Sequence, residues 1–243
     1  MNIEFYEKKY RTGKEIFRTN KLYAINLIED SEKQLNILDV GCGVGINSSY
    51  IVNKGNKVTG IDISSEAIKK YKDKGYNGIV MDIQKRLDFN KDEFDIVFCS
   101  EVIEHITNPQ SLMSEFYRVL RPGGKLILTT PNSAFWVYRI LAIAGYPPSE
   151  IQHPKHFIFF SRRSLSKLFC ASGFVLKMMS GRNMYILLPD PRFAILKKLF
   201  RFFRLKEEVR FVSGKSFWHI SSFSQFCNSF FADTLIFVGI KKK

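Results

Sequence analysis

The 243-residue chain has only four cysteines, Cys42, Cys99, Cys170 and Cys227, and no two of them form a C-x-x-C pair. Scattered in this way they indicate neither a zinc knuckle nor a disulfide framework, and a reduced compartment is expected. Long apolar runs are equally scarce. The longest candidate, Phe135 to Tyr146, contains Arg139 and falls well short of the ~20 residues a spanning helix needs. The opening residues, Met1-Asn2-Ile3-Glu4-Phe5, lack the cationic stretch and apolar run of a secretory leader, so a cytoplasmic chain is expected. Acid is scarce in one half only. Residues 1–120 carry 17 basic and 18 acidic side chains, whereas residues 121–243 carry 20 and 5, so the formal charge of +14 comes from the second half. With 45% apolar and 14% aromatic residues the chain can bury a core, which excludes a disordered polycation. The asymmetry suggests a near-neutral catalytic half joined to a half that faces something anionic.

Short β-rich runs alternate with helical patterns, as parallel βαβ units require: Asn36–Val40, Lys57–Asp62, Gly78–Asp82, Phe94–Cys99 and Lys125–Thr130 read as strands. Asn108 with Pro109 starts a helix that Pro122-Gly123-Gly124 should end after Arg121. A further helix is expected over Arg162–Ala171, then a sixth strand near Phe174–Met179 and a last strand over Thr234–Ile240. Residues 181–233 are too many for a hairpin loop and read as an insertion with structure of its own.

The sharpest motif is Leu38-Asp39-Val40-Gly41-Cys42-Gly43-Val44-Gly45, leaving the first strand and entering a helix. Glycines there let the chain turn sharply and a ligand approach the helix N-terminus. A dinucleotide fingerprint is disfavoured, because position 46 is Ile and the Asp39 carboxylate would repel a pyrophosphate. An acid at that place suits a ligand carrying an ammonium group. Asp62 ends the second strand, where a carboxylate accepts hydrogen bonds from both ribose hydroxyls. Asp82 closes the third strand beside the place of an adenine, with a helix N-cap as its structural alternative.

Together, LDVGCGVG, VTGIDIS, IVMDIQ, FDIVFCSEVIEHI and LRPGGKLILTTPN resemble the class I S-adenosylmethionine-dependent methyltransferases. The resemblance runs from about residue 36 to 131 and more loosely onward. It implies an α/β, Rossmann-like sheet of seven strands with helices on both faces and the last strand antiparallel. It also implies that S-adenosylmethionine is held by Asp39, Gly41, Cys42 and Gly43 at its methionine end, by Asp62 and Ile63 at the ribose and adenine, by Asp82 and Ile83 at the adenine edge, and by Ser100 beside the methionine. On this reading residues 1–35 are a helical cap, residues 36–180 with 234–243 are the methyltransferase domain, and residues 181–233 are a basic insertion. The aromatic segment Phe5-Tyr6-Glu7-Lys8-Lys9-Tyr10 looks like the cap over the cofactor, the alternative being a helix packed on the sheet edge.

Methyl transfer to a hydroxyl needs a base with a pKa near neutrality. Four histidines are available, His105, His153, His156 and His219. His105 follows Glu101 by four residues, which would place both on one face of a short helix turned to the cleft; His156 is the second candidate base. His153 and His156 could bind a metal, but no further ligand is evident nearby, so no metal is expected. Base methylation of nucleic acid is disfavoured because Cys99-Ser100-Glu101-Val102 stands where an N/D-P-P-Y/F/W tetrapeptide would be. A non-catalytic or RNA-binding module that kept the fold is the rival reading.

The stretch Asn132 to Gly145 has an N-cap, a nearly all-round apolar body and a glycine stop, the makings of a buried helix, a substrate wall or a membrane-dipping element. HPKHFIFFSRRSLSKLFCASGF resembles the group that contains ubiquinone-pathway O-methyltransferases and enzymes of surface-glycan and lipid-linked sugar pathways. Within the insertion, Asp190 to Lys206 reads as a helix with Lys197, Lys198, Arg201 and Arg204 on one arc and aromatic and aliphatic residues opposite. Such a helix suits an anionic membrane surface or packs against the domain or a second copy in a homodimer. The expected acceptor is therefore a small-molecule, glycan or lipid-linked hydroxyl at the inner membrane face, with a ubiquinone-type phenol as the alternative.

Overall fold

The computed structural model describes residues 3–11, 22–28, 34–182, 206–212, 215–221, 223–224 and 232–243. A short helix, α1 (Ile3–Arg11), and a single turn, α2 (Leu22–Ile25), precede β1 (Asn36–Val40), α3 (Ile46–Val52), β2 (Lys57–Asp62), α4 (Ser65–Asp73), β3 (Asn77–Val80) and β4 (Phe94–Ser100). A 3₁₀ turn (Ile103–His105) leads to α5 (Pro109–Val119), β5 (Leu120–Pro131), α6 (Trp136–Ile143), α7 (Pro148–Ile151), α8 (Arg162–Ala171) and β6 (Val175–Arg182). A hairpin of β7 (Lys206–Val212) and β8 (Lys215–Ser221), the two-residue β9 (Phe223–Ser224) and β10 (Thr234–Ile240) complete the described elements.

The main sheet has the order β3-β2-β1-β4-β5-β10-β6-β9. Strands β1 to β5 pair in parallel, and β10 is wedged antiparallel between β5 and β6. This is the seven-stranded α/β sheet with a reversed last strand, to which β9 adds a short eighth strand at the edge. Its faces are buried separately. One face packs Leu112, Met113, Phe116 and Val119 of α5 and Leu165 and Phe169 of α8 with Val97, Leu126 and Phe237 of the sheet. The other packs Ala24 and Ile25 of α2 and Ile51 of α3 with Ile37, Phe98 and Ile236. In α5 the buried residues recur at the helical period, so one stripe faces the sheet and the rest faces water. Burying a side chain such as Phe116 stabilises by roughly 1.5–3 kcal/mol.

The caps follow the sequence. Asn108 Oδ1 accepts from Ser111 N at 3.1 Å ahead of Pro109, and Ser161 and Ser164 form a reciprocal capping box on α8. The end of α5 differs. Leu120 is already extended, so the helix stops at Val119 and Pro122-Gly123-Gly124 lies inside the long strand β5. Pairing of Leu120 with Phe94 of β4 draws the chain into the sheet before the prolyl stop is reached.

Asn132 does not cap α6. Its Oδ1 accepts from Ala134 N at 3.0 Å and its Nδ2 donates to Ala232 O at 2.6 Å, tying the end of β5 to the start of β10. Phe135 takes the N-cap position instead, and none of the residues of α6 is buried, so the buried-helix alternative fails. Ile143 is 88% exposed. Among the described residues no helix is long and apolar enough to cross a membrane. The amphipathic helix expected over Asp190–Lys206 lies outside the described residues, except that Lys206 opens β7.

Candidate active site

The carboxyl ends of β1, β2 and β4 meet at the glycine turn. Gly41 and Gly43 have φ of 67° and 54°, the left-handed region. A Cβ on Gly41 would stand 2.4 Å from Val102 Cγ2, so the glycine is required by space as well as by backbone. The N–H groups of Gly41 and Cys42 both donate to Ile61 O, at 2.8 and 3.1 Å, which locks the turn onto β2.

The acids are held from beneath. Asp39, fully buried, accepts from Ser48 Oγ at 2.5 Å, and Ser48 Oγ in turn accepts from the Tyr71 hydroxyl at 2.8 Å. Asp62 accepts from Gly43 N at 3.0 Å and from Ser64 N at 2.9 Å, one bond to each oxygen. Burial pushes the Asp62 carboxyl up, against the Ser64 and Gly43 N–H groups and Lys9, which pull it down. Cys42 is buried and free, and burial pushes its thiol up, so it is no nucleophile here. Ile63 and Ile83 are buried, forming apolar wall beside the acids. Asp82 stands two residues beyond β3, and its Oδ1 accepts from Gln84 N at 3.1 Å in a local turn. Ser100, at the end of β4, shares a 2.9 Å bond with Thr129 Oγ1.

Helix α1 lies against this edge. Glu7 accepts from Ser65 N and Glu66 N, at 2.7 and 3.2 Å, at the start of α4. Burial, which would raise it, is outweighed by these N–H bonds, and the Glu7 carboxyl is held below its ordinary value. The Tyr10 carbonyl accepts from Lys70 Nζ, and the Tyr10 hydroxyl sits where a Cβ on Gly43 would approach to 3.0 Å.

The histidines gather at the other end of α1. The Tyr6 and His105 rings are 6.3 Å apart, Phe5 and His153 5.8 Å, His105 and His156 4.8 Å, and His153 and His156 5.7 Å. Tyr6 is pushed up to about 12, by burial first and then by the Asp62 and Glu104 carboxylates, so its phenol neighbours both clusters. Burial lowers His105, favouring the neutral imidazole; the Lys155 carbonyl opposes this, and His153 and Lys9 add to it. Because Lys155 O only accepts, its 2.9 Å bond fixes the proton on Nδ1 and leaves Nε2 as the basic nitrogen. His219 lies apart in the sequence of β8, in the two-stranded hairpin.

Glu101 does not join His105. The helix expected to carry both is a single 3₁₀ turn beginning at Ile103, and Glu101 precedes it with φ of 59°. Its Oε1 instead accepts from Thr129 Oγ1 at 3.3 Å. Glu104, not singled out from the sequence, takes the place. It is buried, its Oε2 accepts from Thr130 Oγ1 at 3.0 Å, and one of its carboxylate oxygens lies within 4.8 Å of a ring nitrogen of His105 and of His156. The expectation that no further ligand stands near the histidines is thereby corrected. Its signal was the adjacency Glu104-His105, which a four-residue helical spacing obscured.

A mixed sheet with a reversed strand beside its fifth strand, a glycine turn after the first and an acid ending the second define the class I methyltransferase fold. The comparisons agree: a family model described as a methyltransferase domain matches residues 12–177, and the chain belongs to that family of S-adenosylmethionine-dependent enzymes. A ubiquinone biosynthesis O-methyltransferase of Aeromonas salmonicida is 29% identical over 159 residues, 60% of this chain and 65% of that one. A malonyl-[acyl-carrier protein] O-methyltransferase of Ilyobacter polytropus is 38% identical over 110 residues, 42% of each chain. The chain thus spans under two thirds of the length of these curated relatives. Among solved structures, an S-adenosylmethionine-dependent methyltransferase of Archaeoglobus fulgidus superposes with a TM-score of 0.59 at 15% identity, covering 99% of this chain and 100% of that one. A 1,6-didemethyltoxoflavin-N1-methyltransferase of Burkholderia thailandensis, solved with S-adenosylhomocysteine, gives 0.60 at 13% identity, covering 99% and 87%. At these identities the structural likeness is one of fold.

Proposed function

We propose that the chain methylates a hydroxyl oxygen of a small-molecule, glycan or lipid-linked acceptor. The observation that carries this reading is that α1 spans both clusters: Tyr10 touches the glycine turn, while Tyr6 lies beside His105 and within the field of Asp62 and Glu104. A donor in the glycine cradle and an acceptor at the histidines would meet beneath one helix. The two curated relatives described above are both named O-methyltransferases although their named acceptors differ, which favours oxygen over any single acceptor.

S-adenosylmethionine, when bound, supplies a methyl group on a sulfonium. Asp39 would hold the ammonium of its methionine end and Asp62 the ribose, with Ile63, Asp82 and Ile83 around the adenine and the backbone near Gly41, Gly43 and Ser100 lining the methionine. Alignment in a dry cleft is the main contribution asked of the protein. The acceptor oxygen forms the new O–C bond, the C–S bond breaks with its electron pair going to sulfur, and the acceptor proton leaves. His105 and His156 are the groups that would take that proton or assist its loss.

In this reading residues 1–35 cap the site and residues 181–233 serve the acceptor side. Ile140, Ile143, Tyr146 and Phe157 are exposed, and the basic excess after residue 120 suits anionic lipid. Methyl transfer from labelled S-adenosylmethionine into membrane-lipid and glycan extracts tests the chemistry, and co-sedimentation with neutral against anionic vesicles tests the location. Label entering an N-methyl product alone would overturn oxygen as the acceptor. Tight, salt-sensitive RNA binding with no binding to either vesicle would favour the RNA-binding module.

A further inference from the structure

We infer that Glu104, His105 and His156 form a binding site for one divalent transition-metal cation, which lowers the pKa of the acceptor hydroxyl. The inference deepens the acceptor-hydroxyl reading and rests on it for the role of the ion, although the site itself stands on geometry alone.

Three properties of the cluster carry it. The ligand atoms of Glu104, His105 and His156 all lie within 4.8 Å of one another. Ligands about 2.1 Å from one ion stand about 3.0–3.4 Å apart at octahedral and tetrahedral angles, so the three ligand atoms would draw together by roughly 1–2 Å through side-chain rotation as the ion binds.

Each ligand also has the outer partner that metal sites use to orient their ligands. His105 donates from Nδ1 to Lys155 O at 2.9 Å, His156 Nδ1 bonds Gln152 Oε1 at 3.1 Å, and Glu104 Oε2 accepts from Thr130 Oγ1 at 3.0 Å. Both imidazoles would therefore ligate through Nε2.

The backbone fixes the pairing as well. Phe157 N and Ile158 N both donate to Glu104 O, at 2.8 and 3.2 Å, stapling the loop that carries His156 onto the 3₁₀ turn that carries the other two ligands.

Two imidazoles and one carboxylate suit manganese, iron, cobalt or zinc over magnesium or calcium, and three protein ligands leave positions open for an acceptor oxygen. The ion would act as a Lewis acid: the acceptor O–H breaks, its proton passes to water, and the oxygen keeps the electron pair that attacks the methyl carbon. His105 is then a ligand rather than the proton acceptor.

The test is titration of Co²⁺, read by visible d–d absorption, and of Mn²⁺, read by electron paramagnetic resonance, into the chelator-treated full chain. One ion per chain is expected, with a micromolar dissociation constant. Glu104→Gln and His156→Ala should each weaken it at least about tenfold, with S-adenosylmethionine affinity by calorimetry unchanged as the control for folding. No saturable binding of either ion below millimolar concentration, or equal binding in both variants, would overturn the site. An acceptor methylated at full rate by the chelated enzyme would overturn the role of the ion and leave the methylation reading intact. Metal binding without methylation of any hydroxyl would uphold the site and sink that reading.

Discussion

The two ends of helix α1 rest on two differently built sites. Toward Tyr10 the cradle is made of residues close in sequence, Asp39 to Ser48 and Asp62 to Ser64, with glycines, acids and a helix start in a fixed order. Toward Phe5 and Tyr6 the cluster is made of Glu104 and His105 with His153 and His156, brought across some fifty residues by two backbone bonds to one carbonyl. The first is set by one turn of chain. The second exists only once β4, β5 and α7 are in place, so its parts can vary without disturbing the sheet. A common donor and a variable acceptor call for this division.

The largest expected effects separate the two. If Asp62 accepts two ribose hydrogen bonds as proposed, each worth about 1.5–3 kcal/mol to a charged group, Asp62→Ala should lower cofactor affinity about a hundredfold or more. Calorimetry checks it, and unchanged affinity would sink the cradle assignment. His105→Ala should do the reverse, lowering turnover by about 10²–10⁴ with cofactor affinity nearly intact. If His105→Ala and His156→Ala both keep full activity with every acceptor found, the histidine cluster is not the acceptor site. Tyr6→Ala tests the bridge between the sites: an aromatic contact of about 0.5–1.5 kcal/mol predicts up to a roughly tenfold rise in acceptor KM. An equal rise in the cofactor dissociation constant would show that α1 serves the donor alone.

This division also decided what the sequence revealed. The sheet, the glycine turn and the strand-end acids were legible because strand periodicity, glycine spacing and caps are local signals. The strands Asn36–Val40, Lys57–Asp62 and Thr234–Ile240 and the helix Arg162–Ala171 fall where the pattern puts them. Glu101 was misplaced by a local argument: four-residue spacing implies one face only if the segment is helical, and the left-handed Glu101 breaks it. Glu104 was missed because its partners come from Thr130 and the loop at residues 153–158. Tyr71 was missed for a related reason. It reads as an ordinary apolar helix position, yet its hydroxyl props Ser48 beneath Asp39 and its ring lies against Gly60.

That last contact gives a smaller effect confined to the cradle. A Cβ on Gly60 would stand 2.5 Å from Tyr71 Cζ and 2.8 Å from Cys42 Sγ. Gly60→Ala should cost about 1–3 kcal/mol by overpacking, read in denaturant melts. Loss of cofactor affinity should accompany it, because the ring it displaces supports Ser48 and Asp39. A destabilised variant with wild-type affinity would show that the Tyr71 prop is structural only.

The smallest effect belongs to neither site and calibrates both. On α5, Glu115 accepts from Arg118 Nη2 at 2.7 Å and from Leu87 N at 2.9 Å, and Arg118 donates to Leu87 O and Phe89 O, pinning the loop that follows β3. The Arg118 side-chain bond holds the Glu115 carboxyl below its ordinary value of 4.5, more than burial raises it. A depressed carboxyl contributes stability above its unfolded pKa and loses it as the pH falls through the folded one. Wild type should therefore melt above Glu115→Gln at pH 7, and the gap should close progressively as the pH drops below about 4.5. The pair is partly solvated, so the gap should be modest. Because the pair touches neither cluster, cofactor and metal affinities of Glu115→Gln at pH 7 should match wild type. If they fall together with the melting temperature, losses at the two sites report global stability, and the contrast between the cradle and the histidine cluster would dissolve.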